Sequence, residues 1–194
     1  MQIKLGEGSN VKKKKLIEYA LITFVLIMVF FTYTTYKENQ YLKSRMGTEY
    51  ENLVIQSLIF LKEESSTDYW LEQMKSPRGN EALHSLISEL SFLSSSLHKH
   101  NLDYIALQMD VLKRQFYNFM KYENEFSLEE IKELEQNVSI LASILTTVKS
   151  DLENDSLKWY KEIHNHSSKT QEYIRSELTS YWNEKEVEID TTYK

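Results

Sequence analysis

The chain of 194 residues contains no cysteine, a single proline (Pro77) and four glycines (Gly6, Gly8, Gly47, Gly79). Without cysteine there is no disulfide scaffold, no thiol nucleophile, no iron–sulfur site and no Cys-ligated zinc. With so few Gly and Pro the chain cannot turn every 8–12 residues or so, as a β-sandwich or barrel must. Basic charge is in deficit as well. The 23 Lys and Arg face 29 Asp and Glu, a net of −6, which speaks against a nucleic-acid binder. Reaction motifs are missing too: there is no Gly-rich phosphate loop, no Gly-x-Ser-x-Gly and no His-Glu-x-x-His.

The dominant feature that is present is apolar. From Tyr19 to Tyr36 eighteen consecutive residues carry no charge, and the only small polar residues among them are Thr23, Thr32, Thr34 and Thr35. As a helix this run extends about 27 Å, close to the hydrocarbon thickness of a bilayer. It has no polar face, unlike a core helix of a soluble protein. Tyr19 at one end, and Tyr33, Tyr36 and Tyr41 at the other, fall where a spanning helix carries its aromatic belt. Lys12, Lys13, Lys14 and Lys15 precede the run, whereas Lys37, Lys43 and Arg45 after it are interleaved with Glu38, Glu49 and Glu51. The positive-inside bias makes the four lysines the topology-determining residues. They predict a single pass through the plasma membrane, with the segment before the span cytoplasmic and the remainder extracytoplasmic. A cleaved signal peptide is the competing reading. The exit from Phe30 to Tyr36 offers no Ala, Gly or Ser for signal peptidase, so the segment reads as an uncleaved signal-anchor.

Within this segment Ile17-Glu18-Tyr19-Ala20-Leu21-Ile22 resembles the start of Flp-type pilins, whose mature chain carries Glu-Tyr just inside an apolar helix. The likeness covers six residues. Those pilins are cut after a Gly five residues before the Glu, where this chain has Lys13, and they carry no large outer domain. The resemblance therefore assigns no family to the chain. It implies a pilus or secretion-system component as one alternative role.

Residues 37–194 hold 18 basic and 27 acidic side chains, a net of −9, and enough length for a core. Leu83, Leu86, Leu90, Leu93 and Leu97 are spaced 3-4-3-4. Ile105, Met109, Leu112, Phe116 and Phe119 continue the same rhythm, as do Ile131, Leu134, Val138, Leu141, Leu145, Val148 and Leu152. Such seams place apolar residues on one stripe of a helix, and Ile87, Met120 and Ile144 widen the stripes toward a bundle. The spacing predicts helices over residues 81–99, 104–125, 128–153 and 156–187. Asn80 and Asp103 are expected to cap the first two, and Ser127 with Glu130 forms a capping box for the third. The last helix has a polar middle, His164 to Thr170, so that it is exposed, broken or lining something polar there. Before Pro77 two arrangements fit: a helix ending at Gly47 and reopening at Thr48, or one helix from the membrane to about residue 64. Ser65 to Asp68 then interrupts the chain before Tyr69 and Trp70, and Ser76 to Asn80 reads as a turn.

The predicted fold class is thus all-α: one N-terminal transmembrane helix followed by an antiparallel, coiled-coil-like bundle of four to five helices. The organisation is a short basic cytoplasmic segment (1–15), a signal-anchor helix (16–36), a membrane-proximal helix (37–76), an extracytoplasmic bundle (77–188) and a frayed tail (189–194).

Candidate chemistry is sparse. Two His-x-His pairs, His98/His100 and His164/His166, suit zinc or copper in type, but residues two apart in a helix diverge by about 200° and cannot share one ion. No metal and no cofactor is expected. The acidic run Glu129, Glu130, Glu133 and Glu135 contains no Glu-x-x-His and reads as a solvated face. Ser91, Ser94, Ser95 and Ser96 read as small residues that let helices approach closely. Asn137, Asn154 and Asn165 open glycosylation sequons at a frequency near chance. The adjacent aromatic pairs Trp159-Tyr160 and Tyr181-Trp182 are the candidate partner-binding residues, since neighbours about 100° apart are hard to bury together and Trp and Tyr dominate binding hot spots. The alternative is that one ring of each pair packs in the core and the other half-packs.

The functional expectation is a non-enzymatic membrane protein of a bacterial cell envelope. It presents its bundle for protein–protein interaction or self-association, with the lipid bilayer as a further partner and with neither nucleic acid nor a small-molecule substrate. The absence of Cys from the outer portion favours that setting, of Gram-positive type. The alternatives are an extracytoplasmic ligand-sensing module, which would need a membrane partner because some fifteen residues before the span leave no room for an output domain, and the pilus or secretion-system role.

Overall fold

The computed structural model describes residues 7–64, 78–121 and 127–185. Two compact units divide the chain, Met1–Lys43 and Ser44–Lys194. No strand occurs among the described residues.

The first helix, α1, runs Glu7–Ile59 and ends in a π-helical turn, Phe60–Glu64. No Gly or Pro falls between Gly8 and Gly47 to interrupt it. The second of the two arrangements before Pro77 is therefore the one found. Gly47 does not end a helix, and the Thr48 hydroxyl donates to the Ser44 carbonyl at 3.1 Å instead of capping a new one.

Among the described residues of the first unit no apolar side chain is buried. Every large apolar side chain from Leu16 to Phe31 is at least 49% exposed. Three of the four threonine hydroxyls bond within the helix: Thr23 donates to the Tyr19 carbonyl (2.9 Å), Thr32 to Met28 (2.8 Å), and Thr34 to Phe30 and Phe31. The Lys37 ammonium lies over the Tyr33 ring, 5.1 Å from its centroid, a cation–π contact.

In the second unit the same kind of residue is buried, because it recurs with helical period. The C-terminal part of α1 contributes Tyr50, Leu53, Val54 and Leu58 to the core. The wider π turn shifts the helical phase, and the adjacent Phe60 and Leu61 both enter. The remaining helices are α2 (Gly79–Lys99), α3 (Asp103–Lys121), α4 (Leu128–Leu152), α5 (Ser156–His164) and α6 (Lys169–Glu184). All five leucines of the α2 seam are buried, as are all five residues of the α3 seam. Each contributes roughly 1.5–3 kcal/mol by leaving water. α2 and α3 form the most extensive pairing. α4 packs on α3 and the π turn, and α6 packs on α3, α4 and α5.

The turn from α2 to α3 is a Schellman motif. Asn101 takes the left-handed conformation at φ 61°, the Leu102 N–H donates to the Leu97 carbonyl at 3.0 Å and the Asn101 N–H to His98 at 3.3 Å. Ser94 is the small residue that serves close approach here: it is buried, and its hydroxyl donates to the Ala106 carbonyl at 3.3 Å. Ser91 bonds within its own helix. The capping box of α4 is present as expected, with the Ser127 hydroxyl accepting from the Glu130 N–H and the Glu130 carboxylate accepting from the Ser127 N–H.

Two local expectations are corrected, and for the polar middle of the last helix the broken alternative is the one found. Asn80 lies inside α2, which begins at Gly79 after Arg78 with no side-chain cap. Asp103 is the first residue of α3, and its carboxylate faces His98 Nδ1 at 2.9 Å. The helix expected over 156–187 is two helices broken at 165–168. There Asn165 Oδ1 accepts from the Ser167 N–H (3.1 Å), and the Ser168 hydroxyl caps α6 by accepting from the Gln171 N–H (3.1 Å). Short polar side chains offer the backbone these alternatives to the helical ladder. The Ser65–Asp68 interruption, Tyr69, Trp70, the Ser76–Pro77 part of the turn, the end of the helix expected to reach 125 and the tail lie outside the described residues.

Candidate functional site

Two features of the second unit gather the residues singled out by sequence. The first is a junction around Tyr50, a ring that is 1% exposed. It meets His100 edge-on at 5.6 Å between centroids, and its hydroxyl lies 3.4 Å from His164 Nδ1. His164 stacks on Tyr160 at 4.8 Å and 16°. His100 Nδ1 is 2.7 Å from the Ser96 carbonyl. A carbonyl only accepts, so this nitrogen carries the proton and Nε2 faces Glu49 at 4.0 Å. Burial pushes the Tyr50 phenol above its ordinary range, and Tyr160 and Glu49 add to the effect. One member of each His-x-His pair thus reaches Tyr50, while His98 turns to Asp103 and His166 is exposed. The members of each pair have different surroundings, because His100 is the C-cap of α2 and His166 lies beyond the end of α5. Among the described residues no three His, Cys, Asp or Glu side chains come close enough to hold a metal ion. One Glu-x-x-His does occur, Glu81 and His84 on α2, and both residues are exposed.

Gly47 explains how α5 reaches this junction. A Cβ there would stand 1.6 Å from the Ser156 carbonyl oxygen and 3.1 Å from the Tyr160 nitrogen. The backbone of α5 therefore rests directly on α1, and the Ser44 and Ser156 hydroxyls meet at 2.6 Å.

The second feature is a buried amide network. Gln108 donates to Asn137 Oδ1 (2.7 Å), Asn137 donates to Gln115 Oε1 (3.0 Å), and the Trp182 indole N–H donates to Gln108 Oε1 (2.7 Å). It pins α3, α4 and α6 together. Asn137, the first sequon, has its amide committed here and is 3% exposed. The signal for the network was legible: Gln108 and Asn137 each stand three residues after a buried seam residue, on the apolar stripe itself.

The four aromatic candidates divide by residue type. Trp159 is fully buried, and its indole N–H donates to the Glu153 carbonyl at 2.8 Å, closing the turn between α4 and α5. Trp182 is 5% exposed and stacks on Tyr104 at 6.1 Å between centroids. Tyr160 and Tyr181 are half-buried against the core. The Tyr181 hydroxyl is enclosed with no hydrogen-bond partner among the described residues. Burial and the nearby Glu133 push its phenol upward.

In the first unit Lys12, Lys13, Lys14 and Lys15 occupy consecutive positions of α1, and Lys15 is exposed. The groove that passes Met28, Val29 and Thr32 is lined by that one helix.

Comparison with protein-family models, with curated proteins and with solved structures finds no match.

Proposed function

We propose that this chain is a non-enzymatic, single-pass membrane protein. Its α1 helix crosses the plasma membrane over residues 16–36 with the preceding lysines on the cytoplasmic side. The residues that follow present an acidic, antiparallel, coiled-coil-like bundle for protein–protein interaction or assembly in a bacterial envelope.

The observation that carries this reading is an 18-residue stretch of α1 with a mean hydropathy of 2.1, no residue of which is buried. Exposing that much contiguous apolar surface to water is unfavourable at roughly 25 cal/mol per Å², and a bilayer removes the cost. The internally bonded threonines support it, because lipid offers a hydroxyl no partner. The interaction role is supported by a core that uses its aromatic and polar groups for packing and by the absence of a convergent catalytic constellation among the described residues. With both indoles committed to the core, the rings a partner reaches are those of Tyr160 and Tyr181.

The chain has no cysteine of its own, so single introduced thiols report topology. Ser180→Cys should react with a membrane-impermeant maleimide on intact cells and Ser9→Cys only after lysis. The reverse pattern overturns the orientation, and extraction of the chain by alkaline carbonate overturns the membrane reading. Crosslinking in intact cells should trap either a second copy or an envelope protein, and a chain that stays uncrosslinked at every exposed position overturns the interaction role.

A further inference from the structure

We propose that Lys12, Lys13, Lys14 and Lys15 form a collar that binds anionic phospholipid headgroups, so that α1 selects acidic lipid around one end of its span. The inference rests on the membrane reading above and adds a ligand to it.

Four consecutive lysines are an unusual way to arrange charge on a helix. Successive positions turn by about 100°, so four in a row cover every side of α1. A docking face for another protein would instead repeat at i, i+3, i+4 and i+7 along one stripe. Charge on all sides matches the one ligand that surrounds a spanning helix on all sides, its lipid annulus. The axial position agrees. Lys12 to Lys15 lie about 6–10 Å along the helix from Tyr19, where the uncharged run begins. Headgroup regions are roughly 5–7 Å deep on each side of the hydrocarbon, and lysine as a residue type suits such a boundary because its stem is apolar and its end charged.

The charge is not neutralised locally. Glu18 stands one turn from Lys14 and Lys15, and Glu7 precedes the cluster, while Lys4 adds to it, which leaves a surplus of three positive charges in residues 1–18. After the span Lys37, Lys43 and Arg45 are matched by Glu38, Glu49 and Glu51, and Arg45 pairs with Glu49 at 3.4 Å. Only the first flank has cationic charge to spare. The recognised group is a lipid phosphodiester in a negatively charged leaflet, where attraction decays within a Debye length of about 8 Å at physiological salt.

The test uses the full chain reconstituted in phosphatidylcholine vesicles with trace spin-labelled phosphatidylglycerol or spin-labelled phosphatidylcholine, reading the motionally restricted fraction of each. We expect phosphatidylglycerol to associate at least ~3-fold more strongly at low salt, with the ratio falling toward one at high salt. K12Q/K13Q/K14Q/K15Q should bring the ratio to one with the same incorporation, and K37Q/K43Q should leave it as in the wild type. Equal association of both lipids with the wild-type chain overturns the collar and leaves the lysines as topology determinants alone. So does selectivity that survives the quadruple substitution or vanishes in K37Q/K43Q. A chain that fails to float with vesicles of either composition overturns the membrane reading first and the collar with it.

Discussion

Leu26 and Leu90 both sit deep inside long helices, yet the first is 64% exposed and the second is fully buried. Local propensity does not separate them. What separates them is the company each keeps. Leu26 belongs to a run in which apolar residues fill every side of the helix, so no orientation hides them within the chain. Leu90 belongs to a stripe that recurs every three or four residues, which α3 can cover. Abundance of apolar residues says that something must exclude water, and their periodicity says whether the chain does so itself.

Substitutions should pull the two regions apart. The largest effect is expected for Val25→Arg combined with Val29→Arg, about 5 kcal/mol or more against bilayer insertion. Carbonate-washed membranes should lose the double variant, while residues 79–184 keep their helical circular dichroism and melting. Leu90→Ala should do the opposite. It should cost about 2–5 kcal/mol of bundle stability by leaving a cavity, read as a lower Tm in detergent, with membrane retention unchanged. Gly47→Ala should destabilise by about 3 kcal/mol, because its Cβ collides with α5 backbone rather than with a side chain that can swing away. Asn137→Leu is expected to cost about 2 kcal/mol, since it strands the Gln108 amide group inside the core.

The smallest change concerns the start of α4. Ser127→Ala should cost about 1 kcal/mol in thermal denaturation. The Ser127 N–H, and after it the hydroxyl, hold the Glu130 carboxyl below the usual glutamate range. A depressed folded-state value means that the stabilisation is complete above the unfolded value and is lost as pH falls through the folded one. Stability should therefore drop on the acid side, and Glu130→Gln should flatten that part of the pH profile.

Much of the second unit was legible in its sequence. The leucine seam of α2, the Met and Phe seam of α3 and the Ser127–Glu130 box all fall where spacing placed them. The rest turned on contacts distant in sequence. Gly47 carries the ordinary mark of a helix stop, and only the presence of Ser156 beside it shows that it serves close approach. Asn80 and Asp103 have good capping chemistry, but Asp103 faces His98 instead. Val138 fits the heptad better than Asn137, yet Asn137 is the more buried because Gln108 and Gln115 satisfy its amide. Of the candidate aromatic face, residue type alone does not say which ring of Trp159-Tyr160 turns inward. The reach of each indole N–H to an acceptor does, at Glu153 for Trp159 and at Gln108 for Trp182.

The threonines of α1 bear on how polarity itself is counted. Thr23, Thr32 and Thr34 each return a proton to a carbonyl of the preceding turn, so what they offer their surroundings is a methyl group. Hydropathy scales score the letter, whereas an acyl chain beside this helix would meet something close to valine. By that measure the greasy cylinder is more uniform than its spelling.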